Sequence, residues 1–362
     1  MYRKIMGFLE AWKENEHRKP LILQGARQVG KTYSILEFGR THYENVAYFN
    51  FETNPKLNET FEENISPDYL IPILSHIAGQ TIVKEKTLIV FDEVQLCERA
   101  LTSLKYFCEN APDYHIIVAG SLLGVAVNRA KFSFPVGKVD MKTLYPMDME
   151  EFMLALGEDD LVEQIKKCFQ TDTPLPSALH DAAMQLYRQY LVVGGMPECV
   201  MQFAETKDYI LVRHTQDTIL ASYLNDMSKY NNLNEIKKTR LAYDNITVQL
   251  SKKNTRFQYK LIKKGGRASE FENAIEWLCL SGIVSQVYKV EQIKKPLENY
   301  RDIDAFKIYV SDLGLLCAKK DLAANDILYM VEEINDFKGG MAENYVNVQL
   351  SINAVSYTHL RA

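Results

Sequence analysis

Eight residues near the start of the chain, GARQVGKT, carry two glycines, a lysine and a threonine at a spacing suited to binding phosphate. The pattern G-x-x-x-x-G-K-[ST] is typical of a loop whose backbone N–H groups surround a polyphosphate such as that of ATP. Lys31 is predicted to contact the β- and γ-phosphates, and the Thr32 hydroxyl to ligate Mg²⁺. The predicted nucleotide-binding residues of the loop are Gly25, Ala26, Arg27, Gln28, Val29, Gly30, Lys31 and Thr32.

Two carboxylates, Asp92 and Glu93, follow the apolar run Leu88–Phe91 further along the chain. An unbroken apolar run is typical of a strand that is buried on both faces of a parallel sheet. Ligands bind outside the carboxyl ends of such strands. We expect Asp92 to hold Mg²⁺ through water and Glu93 to act as the catalytic base toward the attacking water.

A third apolar run, YHIIVAGS, ends at Ser121. In a doubly wound sheet this strand is expected between the strand before the loop and the strand before Asp92, which would bring Ser121 close to the γ-phosphate. Ser121 is therefore a candidate catalytic sensor of that phosphate. The alternative is a serine in a tight turn before a helix.

The flanking sequence predicts the elements that would position the loop. Leu21–Gln24 is apolar and bounded by Pro20, as expected of a buried strand. Thr32–Phe38 has apolar residues at the spacing of a helix packed on a sheet. Gly25 and Gly30 supply backbone conformations that a Cβ atom would forbid. The alternative is an ordinary strand–turn–helix whose lysine is merely solvated.

Composition narrows the class of protein. The chain has 362 residues, of which 47% are hydrophobic, and a net charge of -5. These values favour a globular protein of about two or three domains and argue against a positive charge spread over the whole surface. The six cysteines form no C-x-x-C pair, as expected of thiols in a reducing compartment. Neither a signal-peptide pattern nor an apolar stretch of the ~18 residues in a membrane span is present, so we expect a soluble, cytoplasmic protein without a membrane partner.

The chain resembles the AAA+ ATPases, in particular a prokaryotic family in which an AAA+ module precedes a C-terminal region of unknown function. The resemblance rests on the segments GARQVGKT, FDEVQ, VAGSLLGVAVNR, FSFPVGKVDMKTLYPMDMEEF, YLVVGGMPE and FKIYVSDLGLL, which span nearly the whole chain. It implies an α/β fold, in which a P-loop AAA+ parallel sheet of five strands is followed by a helical lid and a winged-helix-like α+β domain. It also implies ATP hydrolysis with Mg²⁺, but no particular process that hydrolysis drives.

The resemblance implies four parts of the chain. We expect an AAA+ nucleotide-binding domain at residues 1–160, a helical lid at 161–235, a winged-helix-like domain at 236–312, and the start of a nuclease-like domain at 313–362. Residues 336–351 are expected to form an amphipathic helix with a glycine start, and Glu343 would be the first acid of that nuclease-like domain. The final stretch NAVSYTHLRA does not continue the helix pattern and resembles an assembly artefact, so we expect the natural protein to be longer.

Two further sites are assigned by the resemblance. In related ATPases a glycine-x-proline turn of the lid contacts the nucleotide base, and Gly195-Met196-Pro197 is similar to that turn. An ordinary turn between two helices is the alternative. An arginine finger acts across the subunits of an oligomer, and Arg129 is a candidate for it by position, which would require a homo-oligomer.

A basic stretch without any acid runs from residue 252 to residue 267 of this acidic chain. Clustered Lys and Arg bind nucleic-acid phosphates in a salt-dependent way that does not depend on the base sequence. The candidate contacts are Lys252, Lys253, Arg256, Lys260, Lys263, Lys264 and Arg267. The alternatives are a solvated face and a winged helix that docks a protein.

Two functions fit these features. In the first, ATP hydrolysis drives remodelling of a nucleic acid or movement along it, with DNA favoured over RNA, and the basic stretch supplies the contact. In the second, the protein is a slow nucleotide-dependent switch or scaffold whose winged-helix segment docks a protein partner. The carboxylate pair favours the first function, and the acidic net charge favours the second.

Overall fold

The computed structural model describes residues 1–120, 135–229, 233–252 and 256–353. The chain divides into two compact units, one of Arg3–Tyr145 and one of Pro146–Ala362 together with Met1–Tyr2. The four-part division expected from the sequence is finer than this one, and its boundaries stay predictions.

A five-stranded parallel sheet forms the centre of the first unit. Its strands are β1 (Leu21–Gln24), β2 (Asn45–Asn50), β3 (Thr87–Asp92), β4 (His115–Ala119) and β5 (Asp140–Thr143), in the order β2-β3-β4-β1-β5. Every neighbouring pair is parallel. The predicted P-loop AAA+ α/β fold is confirmed, and β4 lies between β1 and β3 as the sequence predicts.

Helices cover this sheet and exclude water from it. They are α1 (Ile5–Glu14), α2 (Lys31–His42), α3 (Lys56–Glu63), α4 (Pro67–Ala78) and α5 (Glu98–Asn110). Every residue of β3 and β4 is buried, which explains their unbroken apolar sequences. In the core, the rings of Phe51, Phe61 and Phe91 have centroids 5.5–5.9 Å apart in tilted or edge-on contacts, an arrangement that aromatic side chains prefer.

The second unit is mostly helical. Its helices are α6 (Met149–Ala155), α7 (Asp159–Gln170), α8 (Ser177–Val193), α9 (Pro197–Thr206), α10 (Tyr209–Lys229), α11 (Leu233–Leu250), α12 (Ala268–Leu280), α13 (Leu313–Lys319), α14 (Ala324–Leu328) and α15 (Asn335–Asn353). Two strands, β6 (Val284–Val290) and β7 (Arg301–Val310), pair antiparallel. Their β-branched and aromatic residues are typical of strands.

Helix α15 differs from the prediction at its start. It begins at Asn335, so Gly339 and Gly340 lie inside the helix rather than before it. A Cβ atom on Gly340 would lie 2.2 Å from the Leu250 carbonyl oxygen, so a glycine at this position lets α15 pack directly on the end of α11. The prediction was wrong because a glycine at a helix start and one at a close helix contact look alike in sequence.

Two further expectations concern the acid Glu343 of the C-terminal segment and the absence of a membrane span. Glu343, the expected first acid of the nuclease-like domain, accepts hydrogen bonds from Lys307 at 2.7 Å and from the Tyr309 hydroxyl at 3.3 Å. Among the described residues, no group of three or more His, Cys, Asp or Glu side chains is placed to hold a metal ion. Across that same part of the chain, no helix combines the length and the apolar character needed to cross a bilayer.

Candidate nucleotide-binding site

The loop of residues 25–30 joins β1 to α2. Gly25 has a φ of 148°, and Gly30, which precedes α2, has a φ of 90°, so both adopt conformations that favour glycine. A Cβ atom on Gly25 would also lie 2.1 Å from the Leu144 carbonyl oxygen. The path of the loop therefore requires glycine at both ends, and it presents the N-terminus of α2, where the helix dipole favours an anion.

The four residues between these glycines differ in exposure. Ala26 and Val29 are buried, Arg27 is half-buried, and Gln28 is exposed with a φ of 66°. The side chains of Ala26 and Val29 pack into the core of the first unit and thereby fix the loop to it. A left-handed conformation is uncommon for a residue such as Gln28 that carries a side chain.

Lys31 is buried, with 7% of its surface exposed. Its Nζ donates hydrogen bonds to the carbonyl oxygens of Gly25 at 2.9 Å and Ala26 at 2.8 Å. The ammonium group is thus held within the loop from which the phosphate contact is expected. A merely solvated lysine, the alternative raised by the sequence, would be exposed.

Thr32 and Asp92 bring the two sequence motifs together. Thr32 Oγ1 donates a hydrogen bond to Asp92 Oδ2 at 2.9 Å, and the Glu93 backbone N–H donates to Asp92 Oδ1 at the same distance. The contact is possible because β1 and β3 run in the same direction and only β4 separates them. A hydroxyl and a carboxylate are the oxygen ligands that Mg²⁺ prefers, so this pair fits the predicted metal site.

Tyr48 is a member of the site that the sequence reasoning missed. Its hydroxyl donates a hydrogen bond to Asp92 Oδ2 at 2.7 Å and accepts one from Asn50 Nδ2 at 3.2 Å. Partial desolvation of the hydroxyl, together with its hydrogen bond to the Asp92 carboxylate, raises the pKa of Tyr48 to about 12. Two polar residues at the carboxyl end of a parallel strand were the available signal, but the strand Asn45–Asn50 was not identified from the sequence.

Glu93 is half-buried directly after β3. Its φ of 52° is left-handed, which is rare for a residue with a side chain. Gln95 Nε2 donates a hydrogen bond to Glu93 Oε2. The carboxylate is therefore oriented by a second polar side chain, which the sequence reasoning also missed.

Three predicted residues, Ser121, Arg129 and Lys253, lie outside the residues that the structure describes. Their roles as phosphate sensor, arginine finger and nucleic-acid contact stay predictions.

The glycine-x-proline turn lies in the second unit, where Pro197 begins α9. The Gly195 N–H donates to Asp312 Oδ2 at 2.6 Å, and a Cβ atom on Gly195 would lie 2.0 Å from the Met147 carbonyl oxygen. Burial raises the pKa of Asp312 to about 6, and the hydrogen bonds from backbone N–H groups oppose that shift. Packing within its own unit thus accounts for Gly195, and a contact of Pro197 with a nucleotide base stays a prediction.

The described residues of the basic stretch are all exposed, as contact with phosphates requires. They are Lys252, Arg256, Lys260, Lys263, Lys264 and Arg267. Lys252 and Arg256 line a cavity of about 250 Å³ together with Lys307 and two acids. Lys263 is not among the residues that line this cavity, and it pairs with Glu270 at 3.2 Å. One cation of the stretch is therefore partly neutralised by an acid, whereas Lys252 and Arg256 face the cavity.

Comparison with known proteins supports the assignment of the first unit. A family model described as an AAA domain matches residues 17–153, which include the loop, Asp92 and Glu93. A second model, described as a domain of unknown function (DUF8612), matches residues 184–326. No curated protein matches the chain.

Solved structures give a further comparison. The Walker-type ATPase of Pyrococcus abyssi matches with a TM-score of 0.54 and 13% identity, over 88% of this chain and 95% of that one. The ORC2 protein of Aeropyrum pernix, solved in ADPNP–ADP complexes, matches over 94% of this chain and 95% of that one at 13% identity. Its TM-score of 0.43 is too low to support an inference. Residues 17–153 thus match the model of an AAA domain, and this part of the chain has the P-loop AAA+ fold.

Proposed function

We propose that this protein binds ATP together with Mg²⁺ at the loop of residues 25–32 and hydrolyses it to ADP and phosphate. The observation that carries the proposal is the 2.9 Å hydrogen bond between Thr32 Oγ1 and Asp92 Oδ2. This bond joins the glycine-rich loop motif to the Asp92–Glu93 pair, and both motifs are expected to contact the same nucleotide. The Pyrococcus abyssi protein that shares the fold is named a Walker-type ATPase, which supports the same activity.

The phosphates of ATP would lie against the N-terminus of α2, where the first backbone N–H groups have no partner within the helix. Lys31 Nζ would move from the carbonyl oxygens of Gly25 and Ala26 to the β- and γ-phosphates. A charged phosphate oxygen is a stronger acceptor for an ammonium group than a carbonyl oxygen is. The buried lysine is thus poised for this exchange over a short distance.

Thr32 and Asp92 would hold the Mg²⁺ ion through their oxygens, Asp92 by way of a water molecule. When bound, Mg²⁺ neutralises negative charge that develops on the phosphates. Asp92 is only 4% exposed, and a buried carboxylate is stabilised by a nearby cation. The Tyr48 hydroxyl would keep the Asp92 carboxylate in this orientation.

Glu93 would act as the base. The hydrogen bond from Gln95 orients its carboxylate, and a carboxylate oxygen would take the proton of the water that attacks the γ-phosphate. Its left-handed backbone supports the assignment, because strained conformations cluster at active sites.

The experiment is ATP binding and steady-state hydrolysis with Mg²⁺ for the wild type and two variants. Lys31→Ala is expected to lose roughly 10- to 100-fold in ATP affinity, because a charge-assisted contact is removed. Glu93→Gln is expected to bind ATP normally and to hydrolyse it roughly 10²- to 10⁴-fold more slowly, because an amide cannot accept the proton.

Glu52→Gln changes an exposed glutamate of the same unit and is the matched control. Unchanged affinity in Lys31→Ala would contradict the phosphate role of the loop. Normal turnover by Glu93→Gln would exclude Glu93 as the base.

We also propose that hydrolysis is coupled to a nucleic acid, with DNA favoured over RNA. The exposure of the described basic residues supports this coupling. DNA is expected to stimulate turnover in a salt-sensitive way, and reversal of Lys252, Lys263 and Lys264 to glutamate is expected to abolish the stimulation. Reversal of the exposed Lys84 and Lys86 in the other unit is the control.

The second candidate function is a nucleotide-dependent switch that docks a protein partner. The order of α11, α12 and the β6–β7 hairpin supports a winged-helix-like segment that would make the contact. Tight ATP binding with negligible turnover, with or without DNA or RNA, would favour this function over the first.

The remaining proposals concern the assembly. Residues 161–235 would act as the lid whose turn at Pro197 contacts the nucleotide base, and Arg129 of one subunit would complete the site of another in a homo-oligomer. The six free thiols fit a reducing, cytoplasmic location. Sedimentation of the protein with and without ATP and Mg²⁺ tests the oligomer.

A further inference from the structure

Arg3 has a place in the nucleotide-binding unit that neither motif indicates. The side chain is 5% exposed. Its Nη1 donates to the Val29 carbonyl oxygen at 3.0 Å, and its Nη2 donates to the Tyr145 carbonyl oxygen at 2.8 Å. One guanidinium group therefore joins the phosphate-binding loop to the segment that follows β5.

That segment lies against both ends of the loop. At the start of the loop, the Leu144 N–H donates to the Gln24 carbonyl oxygen at 2.8 Å, and the Leu144 carbonyl oxygen leaves no room for a Cβ atom on Gly25. At the other end of the loop, the Arg3 side chain bridges the carbonyl oxygens of Val29 and Tyr145. Residues 144–145 thus support the loop directly at one end and through Arg3 at the other.

Arg3 is itself held in place. It lies just before α1, which buries Ile5, Leu9 and Trp12 in the same unit. A guanidinium group has several N–H donors in a rigid, planar fork, so it can bridge two acceptors on separate segments, whereas the ammonium group of a lysine is a compact point charge. Burying this charge is costly unless it is hydrogen-bonded, and the two carbonyl oxygens provide such bonds.

We propose that Arg3 is a positioning residue for the phosphate-binding loop. It fixes the Val29 carbonyl, and thereby the backbone that enters α2 through Gly30 and Lys31. The role in nucleotide binding rests on the proposed function, whereas the effect on the loop itself does not require a nucleotide.

The test uses the full chain with Arg3→Met and Arg3→Lys, and with Arg40→Met as the matched control. Arg40 belongs to the same unit but is exposed and pairs with Glu37 at 2.6 Å. Two quantities are measured: amide hydrogen exchange of residues 25–32 without nucleotide, and the affinity for a fluorescent ATP analogue with Mg²⁺.

Arg3→Met is expected to raise exchange in residues 25–32 and to weaken ATP binding roughly tenfold or more, as for the loss of a charge-assisted hydrogen bond. Arg3→Lys is expected to give exchange and affinity values between those of Arg3→Met and the wild type, because a single ammonium group replaces the two donating nitrogens of the guanidinium group. Arg40→Met is expected to match the wild type in both measurements. A general loss of stability that leaves the protein folded would not lower the affinity, because affinity falls only with the fraction of binding-competent molecules.

Wild-type exchange and wild-type affinity in Arg3→Met would overturn the proposal. If Arg3→Met does not fold, Arg3→Lys decides: values equal to the wild type in both measurements would overturn the bridging role. If the wild type itself binds no ATP, the proposed function is contradicted. Faster exchange of residues 25–32 in Arg3→Met would still support the positioning role. The two failures are therefore distinguishable.

Discussion

Asp92, at the end of β3, accepts hydrogen bonds from side chains in two other stretches of the chain. Its Oδ2 accepts hydrogen bonds from Thr32 in α2 and from Tyr48 in β2, and its Oδ1 accepts one from the Glu93 backbone. A buried carboxylate depends on such donors, because it has lost most of its hydration. Each donor to Asp92 therefore contributes to the stability of the site even before a nucleotide binds.

Removal of the Tyr48 hydroxyl is expected to destabilise the first unit. Tyr48→Phe deletes a donor to the buried Asp92 carboxylate, and hydrogen bonds to charged groups contribute roughly 1 to 2 kcal/mol or more. The chain contains two tryptophans, so in a Trp277→Phe background the fluorescence of Trp12 reports urea unfolding of the first unit alone.

Tyr69→Phe is the matched control for this experiment. Tyr69 donates to the Glu63 carboxylate in the same unit, but the pair is exposed, and exposed polar pairs contribute little. An equal loss in the free energy of unfolding for the two variants would show that the Tyr48–Asp92 hydrogen bond stabilises the unit no more than an exposed one does.

Helix α15 contains one glycine that its packing requires and one that it does not. Gly339 and Gly340 are neighbours in α15, yet a Cβ atom on Gly339 would meet nothing within 4 Å, whereas one on Gly340 would lie 2.2 Å from the Leu250 carbonyl oxygen. The helix is therefore exposed at one glycine and in contact with α11 at the next. Backbone atoms cannot move aside as a flexible side chain can, so the contact at Gly340 is strict.

Substitution of these two glycines is expected to have opposite effects. Gly339→Ala should stabilise the second unit by about 0.5 to 1 kcal/mol, because alanine loses less backbone entropy in a helix. Gly340→Ala should destabilise it by roughly 1 to 3 kcal/mol, as is usual for overpacking. Urea unfolding followed by the fluorescence of Trp277, in a Trp12→Phe background, measures both, and the same sign for the two variants would contradict the packing of α15 on α11.

The whole chain consists of two compact units with different contents. The first holds the parallel sheet, helices α1 to α5 and the candidate site. The second holds helices α6 to α15, the β6–β7 hairpin and the basic stretch that begins at Lys252. Chains with more than one compact unit commonly depart from two-state unfolding, so we do not expect a single free energy of unfolding to describe this protein. Stability is therefore best measured for each unit through its own tryptophan.

Acid is expected to destabilise the first unit through His115. This residue of β4 is 4% exposed, its Nδ1 lies 2.7 Å from the Tyr43 hydroxyl, and burial lowers its pKa to about 4. An unfolded histidine has a pKa of about 6.5, so between these two values the unfolded chain binds a proton that the folded unit does not. Stability present above pH 6.5 is then lost as the pH falls toward 4, by up to about 3 kcal/mol.

The comparison is between the wild type and His115→Gln, with the fluorescence of Trp12 as the readout from pH 7 to pH 4.5. Glutamine does not titrate, so the variant should lose less stability across this range. His17→Gln, at an exposed position of the same unit, should keep the wild-type profile. Parallel profiles for the wild type and His115→Gln would show that His115 does not contribute.

Sequence reasoning predicted the site where a local pattern carries the chemistry. The glycines, Lys31 and Thr32 are close neighbours along the chain, and Asp92 follows an apolar run that is typical of a buried strand. Tyr48 and Arg3 were missed, because nothing in their local sequence indicates which carboxylate or carbonyl they contact. Their partners lie as far as 142 residues away in the chain.

The sequence by itself determined the strands β1, β3 and β4, the loop after β1, and the place of Asp92 and Glu93 at the end of β3, because hydrophobic periodicity and backbone sterics act over a few residues. Only the tertiary structure decided which side chains share the Asp92 carboxylate, how residues 144–145 and Arg3 support the loop, and why Gly340 is required inside a helix. These contacts depend on strand order and on distances between segments remote in sequence. Close packing in the folded units, rather than any local preference, selects them.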